Sequence, residues 1–205
     1  MKKLLFFAAS LLIIGCKTTQ KTTQRVKTPE VTSQKPSTGL LATTTEGDLL
    51  GQGEVQDLLR TPFRNWFAPG YDNYKPDAAT VTKLRDLTNG ISIKIFMGTW
   101  CEDSQNQVPK FFKILHDAGF DKQDVTLIFV DKDKTTPEKL EAGLNITNVP
   151  TFIFYKTTQS GGKKGPKGEP KTKELNRIVE SPRETLEKDM LKILSNQGYK
   201  HSYLE

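Results

Sequence analysis

The residues able to do chemistry lie together in one stretch, Ile91 to Pro109, which reads ISIKIFMGTWCEDSQNQVP. Cys101 is the only cysteine in the body of the chain. As a thiolate it would attack disulfides, sulfenic acids and other electrophiles. Ahead of it run Ile91, Ile93, Ile95, Phe96 and Met97, β-branched and aromatic enough for a buried strand, and Gly98-Thr99 breaks the run. Behind it, Glu102-Asp103-Ser104 opens a helix whose apolar residues Val108, Phe111, Phe112 and Leu115 keep helical spacing. The cysteine therefore stands where a strand ends and a helix begins. Free N–H groups and the positive end of the helix dipole favour an anion there. Glu102 and Asp103 work the other way, because their charges repel a thiolate beside them. Ser104 can hydrogen-bond a sulfur but cannot act as a second thiol. His116 lies fifteen residues further on, about 22 Å along a helix axis, and is too distant to serve as a base. With His201 the only other histidine, neither a Cys–His nucleophile pair nor a histidine-rich metal site is expected.

At these residues the chain resembles the thioredoxin superfamily, whose pattern is a strand, then Trp-Cys-x-x-Cys, then a helix. Here the motif reads Trp100-Cys101-Glu102-Asp103-Ser104, with serine in the place of the second cysteine. Pro109, eight residues after the cysteine, matches the proline that kinks the family's helix. Asn148-Val149-Pro150-Thr151 is similar to the family's cis-proline turn, which packs against the active cysteine and pairs with extended substrates. The similarity spans about Ile91 to Gln197 and extends back to about Gly47. It implies an α/β, thioredoxin-like fold: a central mixed sheet flanked by helices on both faces, with an N-terminal extension. It also implies Cys101 and Ser104 as the catalytic pair, and Trp100, Val149, Pro150 and Thr151 as substrate-binding positions. The substrates would be proteins or small thiols and disulfides, and neither a cofactor nor a metal is called for.

The departures from the family narrow the chemistry. Ser104 cannot release a mixed disulfide, so the dithiol reaction does not carry over. Ile95 occupies the position, six residues before the cysteine, where many thioredoxins bury an aspartate. Glu102 and Asp103 replace the usual Gly-Pro. Two activities remain open. One is monothiol exchange, in which Cys101 forms mixed disulfides that an external thiol resolves. The other is a binding module that holds an extended peptide or partner at the Pro150 groove without redox turnover.

The N-terminus bears on where this would happen. Met1-Lys2-Lys3 followed by LLFFAASLLIIGC is a charged and then apolar leader of secretory type, residues 1–15. It falls short of the roughly 20 apolar residues that span a bilayer. Ile13-Ile14-Gly15-Cys16 resembles a bacterial lipobox, in which the cysteine is acylated and becomes the mature N-terminus. That implies a lipid on Cys16 and membrane attachment in the bacterial cell envelope. Lys17 in the next position points to the outer membrane, with the domain facing the periplasm. The plainer alternative is an ordinary signal peptide in which Cys16 is discarded. If Cys16 carries lipid, Cys101 has no disulfide partner in its own chain.

Residues 16–45, rich in Thr, Gln, Lys and Pro, offer little to bury and read as a disordered tether. They also explain the net charge of +6. Lys2 and Lys3, with Lys17, Lys21, Arg25, Lys27 and Lys35 against Glu30, carry the whole excess, and residues 46–205 are balanced. Nucleic-acid binding is therefore not expected despite a pI near 9.2.

Residues 46–90 form the N-terminal extension and the first core helix, and 91–205 form the core. Val55, Leu58, Leu59 and Phe63 have helical spacing as far as Pro62. Phe63, Trp66, Phe67, Tyr71 and Tyr74 then crowd aromatics that should pack the extension onto the core. Pro76-Asp77 starts a helix that Asn89-Gly90 ends. Val125–Val130 is a second buried strand, ending in Asp131-Lys132-Asp133, which lacks the other positions of a calcium loop. A short helix is expected from Pro137, making the flanking strands a parallel pair. Thr151–Tyr155 and Glu174–Val179 are the last strands, with a lysine-rich loop over 157–173 between them. Ser181-Pro182 is expected to open the final helix.

Overall fold

A computed structural model describes residues 41–157 and 172–204. The leader, Cys16, the tether to residue 40 and the loop 158–171 lie outside the described residues. Within them the chain forms an α/β domain with a six-stranded mixed sheet and four α-helices. The strands are β1 (Ala42–Thr43), β2 (Leu49–Gly53), β3 (Ile91–Met97), β4 (Val125–Phe129), β5 (Thr151–Thr157) and β6 (Thr172–Val179). The helices are α1 (Arg64–Asn73), α2 (Ala78–Arg85), α3 (Glu102–Ala118) and α4 (Leu186–Leu194).

The sheet order is β1-β2-β4-β3-β5-β6. Only β3 and β4 pair in parallel, joined by the crossover through α3; every other neighbouring pair is antiparallel. This corrects the expectation of a parallel step after β4. β5 instead lies on the far side of β3 and runs against it.

Alternation along the strands sorts the core into two clusters. Ile91, Ile93, Ile95 and Met97 of β3, Leu127 and Phe129 of β4, and Phe152 and Phe154 of β5 face one way. Each of the four α-helices adds its buried residues to that same cluster: Phe67 from α1, Leu84 from α2, Phe111 from α3 and Met190 from α4. Phe111 stacks on Phe152 with ring centroids 4.2 Å apart, and truncating either fully buried ring to alanine would cost about 3–5 kcal/mol. Phe96, Ile128, Val130 and Ile153 point to the other face, where Leu140, Leu144 and Ile146 cover them.

Among the described residues that second face carries no α-helix, so the expectation of helices on both faces is corrected. The segment read as a helix from Pro137 forms turns. Its backbone is left-handed at Lys139 (φ 57°), Gly143 (φ 76°) and Asn145 (φ 52°), which helical residues never are. The Glu141 carboxylate accepts from the Thr136 N–H (3.0 Å) and hydroxyl (2.7 Å), stabilising the turn in place of a helix. The apolar residues still bury as the pattern requires, but from a loop.

Three boundaries also move. Residues 41–45 belong to the fold rather than to a tether: Leu41 packs on the core and Ala42–Thr43 pair with β2. Val55–Leu59 is a 3₁₀ turn, and the helix proper follows the proline, with Phe63 and Phe67 buried against α3 as packing residues. The last helix starts four residues later than Pro182 suggests. Buried Asp189 accepts from the N–H groups of Arg183 and Glu184, and Thr185 caps the helix by accepting from Lys188 N–H. None of the α-helices among the described residues is long and apolar enough to cross a membrane.

Candidate active site

The site is built at the C-terminal end of β3. Parallel pairing with β4 continues one step past Met97, whose carbonyl accepts from Val130 N–H at 2.9 Å. The chain then turns, and Gly98 is needed there. A Cβ at this position would sit 2.4 Å from Trp100 Cε2 and 2.5 Å from its Nε1, so the indole lies directly over the glycine backbone. The indole N–H donates to the Val130 carbonyl at 3.0 Å, fixing the ring between the two strand ends. Thr99 is buried and ties the turn to the N-terminal extension. Its hydroxyl donates to Asp48 (2.8 Å) and accepts from Leu49 N–H (3.1 Å), while its carbonyl accepts from the Gln105 side chain (2.7 Å).

Cys101 is the N-cap residue of α3, with extended backbone (φ −93°, ψ 122°), a free thiol and partial exposure. Its sulfur does not cap the helix. The thiol instead donates to the Val149 carbonyl at 3.2 Å. That carbonyl belongs to the turn whose Val149–Pro150 bond is cis. The turn is held firmly: Thr151, almost wholly buried, donates through its hydroxyl to Asn148 O (2.6 Å), and Pro150 O accepts from Glu180 N–H (2.7 Å). Asn148 in turn donates to the Glu180 carboxylate at 2.9 Å. Trp100, Cys101 and Val149 share one apolar cluster. Residues read from two separate motifs, 48 positions apart at Cys101 and Val149, thus meet in direct contact.

Ser104 stands differently from the other residues of the motif. It is completely buried, and its oxygen accepts from Gly98 N–H at 3.3 Å, so the hydroxyl serves the turn. Among the described residues no hydrogen bond joins it to the sulfur. Glu102 and Asp103 are exposed in the first turn, next to the thiol. The residues that sequence reasoning missed are Gly98, Thr99 and Gln105, which hold the thiol's backbone. The one signal for them was the Gly98-Thr99 break directly before the Trp-Cys pair.

Among the described residues, neither histidine is hydrogen-bonded to the sulfur, whose partner is the Val149 carbonyl. His116 bonds to Asp117 (3.0 Å) near the far end of α3, with its ring against Tyr71. His201 borders a cleft of about 240 Å3 with Thr151 and Arg177. Burial, and then the charges of Arg177 and Arg183, hold His201 below the usual histidine range. Asp131 closes a turn by accepting from Thr135 and Asp133. Among the described residues no cluster of His, Cys, Asp or Glu could hold a metal ion.

The fold and site define an α/β protein with a half-exposed thiol at a strand–helix junction. No family model matches the chain, and no curated protein matches it. Among solved structures it is similar to a protein of unknown function from Pseudomonas aeruginosa. The two are 13% identical, with a TM-score of 0.48 over 72% of this chain and 94% of that one.

Proposed function

We propose that this is a thioredoxin-like protein that performs monothiol thiol–disulfide exchange through Cys101. The observation that carries the reading is the contact between the Cys101 thiol and the carbonyl of the cis Val149–Pro150 turn, at a helix start where the sulfur remains accessible. In the first step the Cys101 thiolate attacks one sulfur of a substrate disulfide. A Cys101–substrate disulfide forms and the other substrate sulfur leaves as a thiolate. An external thiol then attacks the mixed disulfide, restoring Cys101 and carrying away the substrate half as a new disulfide. Ser104 takes no covalent part. An extended substrate would lie along Trp100, Val149, Pro150 and Thr151.

One observation favours a second reading. Ser104, in the place of a second thiol, is fully buried and accepts from Gly98 N–H, and among the described residues there is no other cysteine to return Cys101 to its thiol. On this reading the turn at Pro150 holds a peptide or partner and the sulfur is a bystander. A single experiment separates the two. Purified protein is mixed with a disulfide-linked peptide, and adducts are weighed by mass spectrometry beside Cys101→Ala. Monothiol exchange requires an adduct at Cys101 that added glutathione releases. Peptide retained equally by Cys101→Ala, with no adduct, would install the binding module instead.

We further propose that Cys16 is lipidated and holds the domain at the outer membrane. Two or more acyl chains give stable attachment where one is marginal. Intact-mass measurement of membrane-extracted protein should show a diacyl or triacyl cysteine; a mature chain lacking Cys16 ends the idea.

A further inference from the structure

The order of the sheet brings the turn over residues 200–204 to the sheet end that carries the thiol. β3, β5 and β6 are neighbours and antiparallel in turn, with Phe96 opposite Thr151 and Thr151 opposite Val179. Cys101 after β3, Pro150 before β5 and Glu180 after β6 therefore stand in a row, about 5 Å from each strand to the next. Glu180 closes the row. Its N–H donates to the Pro150 carbonyl (2.7 Å), and its carboxylate accepts from Asn148 and from the Tyr203 hydroxyl. Thr151 of the cis-proline turn and His201 also line one cleft.

The turn is pinned, yet it leaves hydrocarbon in water. Arg183 donates to the carbonyls of Lys200 (3.3 Å), His201 (3.1 Å) and Leu204 (3.3 Å). The Ser202 hydroxyl shares its proton between the carbonyls of Val179 (3.2 Å) and Ser181 (3.3 Å). Tyr203 is nonetheless 54% exposed and Leu204 48% exposed. Among the described residues only Leu59 joins them as a large apolar side chain left exposed. Single exposed apolar residues are ordinary, but these two are adjacent, fixed, and on the row that starts at the sulfur. The polar groups around them are already engaged: the Tyr203 hydroxyl with Glu180, the Glu180 carboxylate also with Asn148, and Arg183 with three carbonyls. What the turn offers a ligand is a ring and a branched aliphatic group, held beforehand, so covering them costs little ordering. We infer that Tyr203 and Leu204 select the disulfides Cys101 takes, by receiving an aromatic or aliphatic side chain of an extended peptide substrate. This deepens the monothiol reading and rests on it. In an extended chain, residues two and four places from the substrate's cysteine share its face and lie about 7 and 13 Å from it. That span matches the row from Cys101 past Pro150 to Glu180 and Tyr203.

Peptides of glycine and serine with one cysteine, blocked as its disulfide with thionitrobenzoate, test this on the whole protein. The Cys101 thiolate attacks the peptide sulfur, a protein–peptide disulfide forms and thionitrobenzoate leaves, so its absorbance reports the rate. At subsaturating peptide, phenylalanine or leucine two or four places from the cysteine, on one side of it, should raise the rate about tenfold over the all-serine peptide. Lysine or glutamate there should give no such gain. Leu204→Ser, which keeps the Tyr203–Glu180 contact, should lower the phenylalanine-to-serine ratio, and adding Tyr203→Ser should bring it to about one. The ratio cancels any loss of folded protein, since both peptides meet the same sample. Equal rates for the phenylalanine and serine peptides, or a preference that survives the double variant, would overturn the inference while leaving thiol exchange intact. Release no faster than from Cys101→Ala with every peptide would remove the exchange reading itself, and this inference with it.

Discussion

Gly98 and Trp100 form one packing unit, and the position of Cys101 depends on it. An alanine methyl at 98 would meet the indole at 2.4 Å, well inside van der Waals contact. The ring would have to lift, giving up its hydrogen bond to Val130. Overpacking of this kind costs about 1–3 kcal/mol, and the lost hydrogen bond about 1 kcal/mol more. Gly98→Ala should therefore lower the denaturation midpoint without altering the slope. Since the clash is with the ring, adding Trp100→Ala should restore part of the loss, a coupling that a double-mutant cycle reads directly. Additive losses would mean that the glycine is needed for its backbone alone. Ser104 offers a second test at this scale. Cys101 and Ser104 stand one helical turn apart at the start of α3, a spacing that puts side chains on one face, so Ser104→Cys should form an internal disulfide with Cys101 under mild oxidation, both thiols disappearing together. Two thiols persisting after oxidation would show that these side chains diverge. The variant should also release a peptide adduct that the natural protein keeps until an outside thiol arrives.

Among the elements, those that announce themselves in sequence are the ones whose local pattern and tertiary role agree. β3, β4 and β5 are runs of β-branched and aromatic residues buried on both faces. α3 carries an uninterrupted apolar stripe and ends on left-handed Gly119 (φ 73°). β2 was not legible because LLGQG is a poor strand former. It is extended because β4 pairs with it and Thr99 holds its first N–H. α1 contains Pro69 and Gly70, which argue against a helix; Gly70 is useful because a Cβ there would lie 3.0 Å from Pro109 on α3. The Cys101–Val149 contact was legible only through the family resemblance, since nothing local in either motif points to the other. The loop over 137–144 misled in the opposite direction, as its apolar spacing suits a helix while its hydrogen bonds do not. Thr136 and Glu141 hold that loop, and Thr136 Oγ1 also accepts from Leu140 N–H at 2.8 Å. Glu141→Ala leaves Thr136, 2% exposed, without its partner, and should cost about 1–3 kcal/mol. Chemical denaturation measures this, and a change below about 0.5 kcal/mol would mean that the apolar contacts of Leu140 and Leu144 suffice.

At the scale of the whole molecule, α4 joins the two ends of the fold through buried carboxylates. Glu187 accepts from Tyr74 hydroxyl (2.8 Å) and Asp77 N–H (3.1 Å), anchoring the segment between α1 and α2. Asp189, fully buried, accepts from Tyr199 hydroxyl (2.9 Å) and from the backbone ahead of the helix, anchoring the C-terminal segment. Each tyrosine donates its proton to an acid, so ionising it would set a phenolate against a carboxylate. Burial, and then the hydrogen bond and charge of Glu187, push Tyr74 well above the ordinary tyrosine range; burial and Asp189 do the same to Tyr199. In the unfolded chain both ionise near pH 10. Above that pH the native state binds more protons than the unfolded state, so stability falls as pH rises. The contribution of both contacts is complete below about pH 10 and is lost progressively above it. Denaturant midpoints should therefore be level between pH 8 and 9 and decline toward pH 11, in tyrosine's titration range. Tyr74→Phe with Tyr199→Phe should be less stable at pH 8, where both hydrogen bonds are intact in the natural protein, yet show a shallower alkaline decline. Some decline should remain, because burial shifts Tyr71 and Tyr155 in the same direction. An alkaline decline equally steep in the double variant would place the sensitive groups elsewhere and leave α4 without this role.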